Sequence, residues 1–150
     1  MGMRRKAREI ALQTMYALEY QQTDELLGPL AWAEDFPKML AEILNNSDID
    51  EGSNIDIFAS ELLATVTRHL LQIDKQIASH ADNWKFERIA TLDRNVMRIA
   101  VAEIAYTETA VAIIINEAIE ISKKYCSEKS GKFINGILNA IARELRSDEF

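Results

Sequence analysis

The sequence has few residues that interrupt helices and lacks the signals of a membrane or disulfide-rich protein. Only 2 prolines and 5 glycines occur in 150 residues, which argues against a turn-rich all-β fold. The single cysteine, Cys126, leaves no internal disulfide. No apolar run approaches the roughly 18 residues of a membrane span, and no signal-peptide core follows the basic start. These absences predict a cytoplasmic protein without membrane contact.

Acidic residues outnumber basic ones, and the two kinds are separated along the chain. The net charge of −7 argues against wholesale binding of nucleic acid. The first eight residues nevertheless carry +4, which leaves −11 for the other 142. The basic residues among the eight are Arg4, Arg5, Lys6 and Arg8. Residues 24–61 hold ten acids against one lysine. A basic tip on an acidic body predicts local attraction for a polyanion.

Helical spacing of apolar residues predicts an all-α fold of about six to seven helices. The predicted helices are 3–22, about 37–44, about 55–81, about 89–106, about 111–125 and a last one from Ser130. Pro37 is expected in the first turn of the second helix, and 45–54 is expected to be a loop. The isoleucine run at 113–115 is assigned to a helix because no second strand candidate could pair with it.

The predicted architecture is two packed small helical bundles within a single domain, 1–150. The N-terminal lobe covers about 1–82 and the C-terminal lobe about 89–147, with a connector at 82–90 between them. Residues 23–36 are expected to be less regular.

No motif in the sequence has the pattern of a catalytic or metal site. His69 and His80 are 11 residues apart, about three turns along a helix, which is too far to share a metal ion. Cys126 has no base beside it in sequence and is expected to be a small buried thiol. Phosphate-binding loops and hydrolase motifs are absent from the sequence. We therefore expect no enzymatic activity, no cofactor and no metal.

The basic N-terminus is the first candidate binding feature. On a helix, Arg4, Arg8 and Arg5 fall within about 100°, and Tyr16 lies near 120°, two turns further along. Guanidinium groups bind phosphates through paired donors, and a tyrosine can stack on a base. The alternative is a solubilising terminus.

The start of the last predicted helix is the second candidate. Helix N-termini present free N–H groups to anions, Lys132 adds charge, and Phe133 offers an aromatic face. The alternative is that Phe133 belongs to the core and Gly136 permits close helix packing.

Four segments together resemble the family of NusB-type transcription antitermination factors. The first segment is RRKARE from Arg4, followed by ALQ at 11–13 and MY at 15–16. The second is LDRNVMRIA from Leu92, the third is INEAIEISKKY from Ile115, and the fourth is SGKFINGIL from Ser130. Their order and spacing match the family over the whole chain, least well at 24–58. The resemblance implies two small helical bundles packed together, which agrees with the two lobes.

The resemblance also implies a function. Such proteins pair with NusE, a small-subunit ribosomal protein, and the pair binds the boxA element of nascent ribosomal RNA transcripts. With other Nus factors the pair helps RNA polymerase read through terminators. Some relatives form homodimers, and the sequence does not decide whether this chain does. The alternative function is a helical protein-interaction module without direct RNA contact.

By position, the resemblance assigns residues to this surface. The implied RNA-binding residues are Arg4, Arg5, Lys6, Arg8, Tyr16, Lys132, Phe133 and Asn135. The residues placed near the RNA or partner surface, without a choice between the two, are Asp93, Arg94, Arg98 and Lys129. Where the family usually has a glycine, Cys126 suggests a left-handed backbone that costs about 1 kcal/mol. Before the INEA segment the family commonly has a proline and a short polar stretch. This chain has TAVA at 109–112 instead, so that loop is expected to be helical or differently packed.

Overall fold

The computed structural model describes residues 2–21, 28–82 and 85–150, and within them the protein is all helical. The α-helices are α1 Gly2–Tyr20, α2 Trp32–Asn46, α3 Asn54–Arg68, α4 Leu70–His80, α5 Thr91–Tyr106, α6 Val111–Tyr125 and α7 Ser130–Leu145. Three short 3-10 helices cover Gly28–Ala31, Phe86–Arg88 and Ser147–Glu149. The predicted all-α class is confirmed. The predictions for 23–27 and for Asn83 and Trp84 in the connector fall outside the described residues.

The chain divides into two compact units, Met1–Arg68 and His69–Phe150. The sequence placed the boundary later, at 82–90. In the first unit, α1 packs against α2 and α3, and α2 packs against α3. Ile10, Met15 and Leu63 are fully buried there, because their helical spacing turns them towards the same core.

Helix α2 begins five residues earlier than the sequence suggested. Trp32 is its first residue and is 2% exposed, and Pro37 lies inside the helix rather than in its first turn. A proline inside a helix removes one backbone hydrogen bond and costs about 3 kcal/mol. Burial of the large Trp32 side chain offsets part of that cost, which explains why the prediction for Pro37 was wrong.

The turn between α2 and α3 agrees with the predicted polar loop at 45–54. Gly52 has a φ of 79°, a left-handed conformation that glycine adopts without steric cost. Its N–H donates to Oδ2 of Asp56 at 2.7 Å, which ties the loop to the first turn of α3.

The second unit is a four-helix assembly. Helix α5 packs against α4, α6 and α7, and α6 packs against α7. Met97, Ile134 and Leu138 are fully buried in it. The isoleucine run lies in α6, as predicted, and no described helix is long and apolar enough to cross a membrane.

The predicted continuous helix at 55–81 is two helices. His69 interrupts it with φ −115° and ψ 22°, and its ring stacks on Tyr106 with centroids 3.8 Å apart. The His69 carbonyl still accepts the first bond of α4, from the Ile73 N–H at 2.9 Å. The apolar stripe continues past the break because a single residue interrupts it, so periodicity alone could not reveal the interruption.

Two departures from the family pattern have definite local conformations. Cys126 has φ −113° and ψ 177°, an extended backbone, so the left-handed conformation suggested for it is wrong. Residues 107–110 are not helical, and α6 begins at Val111.

Candidate nucleic-acid interface

The first two turns of α1 carry the basic cluster, but its four members differ in exposure. Arg4 is exposed, Arg5 and Lys6 are half-buried, and Arg8 is only 3% exposed. Every side chain of 7–12 is buried, so a residue on that part of α1 is covered whatever its angle around the helix. The expectation of one exposed arginine edge is therefore wrong for Arg8.

An aromatic ring from α3 supports two of these arginines. The Cζ atoms of Arg4 and Arg8 lie 5.0 and 5.3 Å from the centroid of the Phe58 ring, within the range of a cation–π interaction. Sequence reasoning missed Phe58. Nothing local marks it, because its partners are about 50 residues earlier in the chain and only the packing of α1 against α3 brings them together.

Tyr16 is part of an aromatic pair on α1. Its hydroxyl donates to the Tyr20 hydroxyl at 3.0 Å, and the two rings meet edge to face with centroids 4.8 Å apart. The hydrogen bond to Tyr20 is the main cause that raises the pKa of Tyr16 above its ordinary value. Tyr20 is 75% exposed and was not predicted as a site residue. Tyrosine rings offer flat surfaces on which bases can stack.

The first turns of α7 display the second predicted cluster. Lys132 and Asn135 are exposed, and Phe133 is half-buried. The Asn139 side-chain amide donates to both the carbonyl and the Oδ1 of Asn135, each at 2.9 Å. These contacts fix the Asn135 side chain.

Asp93 is largely buried in the second unit. Its side chain is 9% exposed, and both carboxylate oxygens lie 2.9 Å from Oγ of Ser130, which donates to them. Because Ser130 is the first residue of α7, this contact fixes the start of that helix against α5. Asp93 therefore positions the segment bearing Lys132 and Phe133, and its place near an RNA or partner surface stays a prediction.

Arg98 is also internal. It is 2% exposed and donates through Nε and Nη2 to the two carboxylate oxygens of Asp74, at 2.8 and 2.9 Å. Its Nη1 donates to Oδ1 of Asn95 at 2.9 Å. With its donors used in this way, Arg98 joins α5 to α4. Its place on an RNA or partner surface stays a prediction, which its burial does not favour.

Arg94 and Lys129 remain nearer the surface. Arg94 is half-buried, with its guanidinium over the Phe86 ring at 5.3 Å, and Lys129 is exposed. Lys129, Phe133 and Arg88 line a depression of about 310 Å³ in the second unit, with Asp93 at its wall. Arg88 was not predicted. The depression places two exposed cations beside an aromatic side chain, a combination suited to a nucleotide.

The predicted residues thus form two sets, each within one unit. Arg4, Arg5, Lys6 and Tyr16 belong to the unit Met1–Arg68. The set on α7, with Lys129, belongs to the unit His69–Phe150.

Two observations on the described residues concern reactive side chains. No group of histidine, cysteine and acidic side chains among them could hold a metal ion. Burial, together with Asp93, raises the pKa of the half-buried Cys126 thiol to about 12, so the thiol is protonated at neutral pH. Protonated thiols are poor nucleophiles. Of the two histidines, His80 pairs with an acidic side chain: its Nε2 lies 3.3 Å from Oε2 of Glu144.

Comparisons with known proteins agree along nearly the whole chain. The model of the NusB family matches residues 5–143. A transcription antitermination protein NusB from Chloroherpeton thalassium is 38% identical over 145 residues, which are 96% of this chain and 63% of that protein. A NusB from Thermodesulfovibrio yellowstonii is 37% identical and covers 94% of this chain and 92% of its own length.

A solved structure has a similar fold. A chain in the crystal structure of antitermination factors NusB and NusE in complex with double-stranded RNA has a TM-score of 0.79 and 25% identity. The match covers 96% of this chain and 98% of that one.

Proposed function

This chain belongs to the NusB family, and we propose that it is an RNA-binding transcription antitermination factor. It pairs with NusE, and the pair binds boxA-type RNA in nascent ribosomal RNA transcripts. With other Nus factors it helps RNA polymerase read through terminators. The observation that carries the proposal is the likeness, over almost the full length of both chains, to a chain of the complex of NusB and NusE with RNA.

Two sets of side chains supply the RNA contacts in this proposal. Arg4, Arg5 and Lys6 on α1 meet phosphates, with the Tyr16–Tyr20 pair two to three turns further along. In the second unit, Lys129 and Lys132 meet phosphates, and Phe133 stacks on a base. Asn135 offers amide donors to base or sugar. Phosphate contacts give most of the affinity, and the aromatic and amide groups give the preference for one sequence.

The acidic body explains the need for a partner. Outside the first eight residues the chain carries −11, which repels a polyanion that is not held close to the basic groups. NusE, as a ribosomal protein, is expected to be basic. Docking of NusE neutralises part of this charge and adds cationic groups, so the pair binds RNA more tightly than either protein alone.

The proposal contains no catalytic step, and it places the protein in the cytoplasm, where bacterial transcripts are made. Nus factors beyond NusE act within the same assembly on the polymerase. Whether the free protein forms a homodimer is decided by its mass in solution at micromolar concentration, which light scattering measures.

The test is a titration of labelled boxA RNA with this protein, with and without NusE. If Arg4, Arg5, Lys6, Lys129 and Lys132 meet phosphates, log affinity falls with log salt at a slope of about −3.5, that is about −0.7 for each of five contacts. A scrambled RNA is expected to bind more weakly. Equal affinity for both RNAs in the presence of NusE contradicts the proposal.

Two variants compare loss of the basic cluster with loss of one charge elsewhere on the same unit. The triple variant Arg4→Ala, Arg5→Ala, Lys6→Ala is compared with Lys38→Ala, which removes one exposed charge of the same unit outside the cluster. We expect the triple variant to weaken RNA binding of the NusE complex strongly and Lys38→Ala to leave it unchanged. Unchanged binding in the triple variant favours the alternative, a protein-interaction module whose acidic body docks a basic partner.

A further inference from the structure

We propose that Phe58 is a positioning residue for RNA binding, which holds the Arg4 guanidinium with its N–H donors free for a phosphate. The inference rests on the proposed RNA-binding function. It adds to the binding surface an aromatic residue from α3 that touches no RNA itself and acts through Arg4.

The geometry places one ring beneath two arginines. Arg4 and Arg8 are one helical turn apart on α1, and their Cζ atoms lie 5.0 and 5.3 Å from the Phe58 centroid. Phe58 is half-buried in the second turn of α3, next to the fully buried Ala59. Because α3 packs against α1, the core of the unit fixes the position of the Phe58 ring.

A ring orients a guanidinium differently from a carboxylate. A carboxylate accepts hydrogen bonds from the N–H donors of a guanidinium, whereas a ring attracts the cation without supplying a carboxylate acceptor for those donors. The structure describes no carboxylate partner for Arg4 within residues 2–21, 28–82 and 85–150. Arg98 shows the opposite case: it also lies near a ring, that of Phe86, but it donates to Asp74 and Asn95.

The two arginines on Phe58 therefore have different roles. Arg4 is exposed, so its edge can reach a phosphate, and holding it in place reduces the side-chain entropy lost on binding. Arg8 is 3% exposed and cannot present its donors to a ligand. The Phe58 ring is therefore the support on which Arg4 is held.

The first experiment examines the free protein by NMR and does not depend on RNA. An arginine above an aromatic ring has side-chain proton signals shifted upfield by the ring current. We expect the Arg4 signals to show this shift in the wild type and in Phe58→Tyr, and to lose it in Phe58→Leu. Arg4 signals that are the same in the wild type and in Phe58→Leu overturn the proposal.

The second experiment measures boxA RNA affinity of the NusE complex for the same variants. Loss of the ring is expected to weaken binding about two- to fivefold, the size of an exposed cation–π contact, while Phe58→Tyr keeps wild-type affinity. In a double-mutant cycle, Arg4→Ala should cost less in the Phe58→Leu background than in the wild type. Additive effects of the two substitutions contradict the role of Phe58 through Arg4.

A stability control excludes an indirect effect. Val66→Ala shortens a fully buried side chain of the same helix, two turns further on, and lowers fold stability while the Phe58 ring is kept. Its RNA affinity is expected to equal that of the wild type below the melting temperature. An equal loss of affinity in Val66→Ala and Phe58→Leu overturns the proposal, because destabilisation alone would then explain the result.

The outcomes also separate this inference from the proposed function. If the wild-type complex with NusE fails to prefer boxA RNA, the proposed function itself is wrong. If the complex binds boxA RNA and Arg4→Ala weakens it, but Phe58→Leu does not, the function stands and the role of Phe58 is rejected.

Discussion

Arg98 forms a bidentate ion pair with Asp74, in which its Nε and Nη2 atoms lie 2.8 and 2.9 Å from the two carboxylate oxygens. The arginine side chain is 2% exposed and that of the aspartate 22% exposed, so the pair lies largely inside the second unit. It ties α5 to α4, and its geometry makes it a structural contact rather than a binding one.

Replacing Arg98 is therefore expected to affect folding. Arg98→Ala should lower the free energy of unfolding by about 3 kcal/mol, because it leaves the partly buried Asp74 without its partner. Chemical denaturation measures this loss. Arg68→Ala, at an exposed arginine, serves as the control and should change stability by less than about 0.5 kcal/mol. A folded, fully stable Arg98→Ala protein that binds RNA less well would show instead that Arg98 contacts RNA.

Substitutions of Arg4 and Arg8 are expected to affect different properties, RNA binding and fold stability, although the two residues are one turn apart. Arg4→Ala should weaken RNA binding and make the slope of log affinity against log salt shallower by about 0.7, with little change in stability. Arg8→Ala should lower stability by about 1–3 kcal/mol, because it removes a buried side chain together with its contacts. Salt titrations and thermal unfolding of both variants check the difference. Similar salt slopes in the two variants would contradict the assignment.

Asp93 is expected to control the reactivity of Cys126. The pKa of the thiol is raised from 9.0 to about 12, first by burial and then by its hydrogen bond and repulsion with Asp93. Asp93→Asn removes the negative charge, so the pKa should fall, but it should stay above 9 because burial remains. The rate of alkylation of the folded protein at pH 9 should therefore rise.

The control for that measurement is Asp148→Asn, at an exposed aspartate near the C-terminus. Its alkylation rate should equal that of the wild type. An unchanged rate in Asp93→Asn would show that the carboxylate does not influence the thiol.

The C-terminal residues are expected to stabilise the second unit. Oε1 of Glu149 accepts the Val111 N–H at 3.0 Å at the start of α6, and Oε2 pairs with Nη1 of Arg146 at 2.7 Å. Arg146 also donates to the carbonyls of Ile104 and Thr109. Glu149→Ala should lower the free energy of unfolding by about 1 kcal/mol, the usual value of a helix N-terminal contact.

Thermal unfolding with Asp148→Asn as the matched control measures the effect of Glu149. If both variants are equally stable, the C-terminal segment does not hold the start of α6.

Local patterns in the sequence were sufficient for some elements. Helix α6 occupies the predicted residues 111–125, and α7 begins at the predicted Ser130, because their apolar spacing and helix-forming residues agree. The start of α2 and the break at His69 could not be read in this way. Trp32 extends α2 because its side chain is buried, and His69 stacks on Tyr106, which lies 37 residues later.

The sequence by itself determined the helical class, the basic residues at the start of α1 and the four segments that resemble the NusB family. Each of these features can be recognised from residues that are close together in the sequence. Only the tertiary structure decided that Arg4 is exposed while Arg8, Asp93 and Arg98 are buried. Burial of a charged side chain depends on which helices pack around it, and those helices come from distant parts of the chain. For the same reason Phe58 joined the candidate site only when α3 was seen packed against α1.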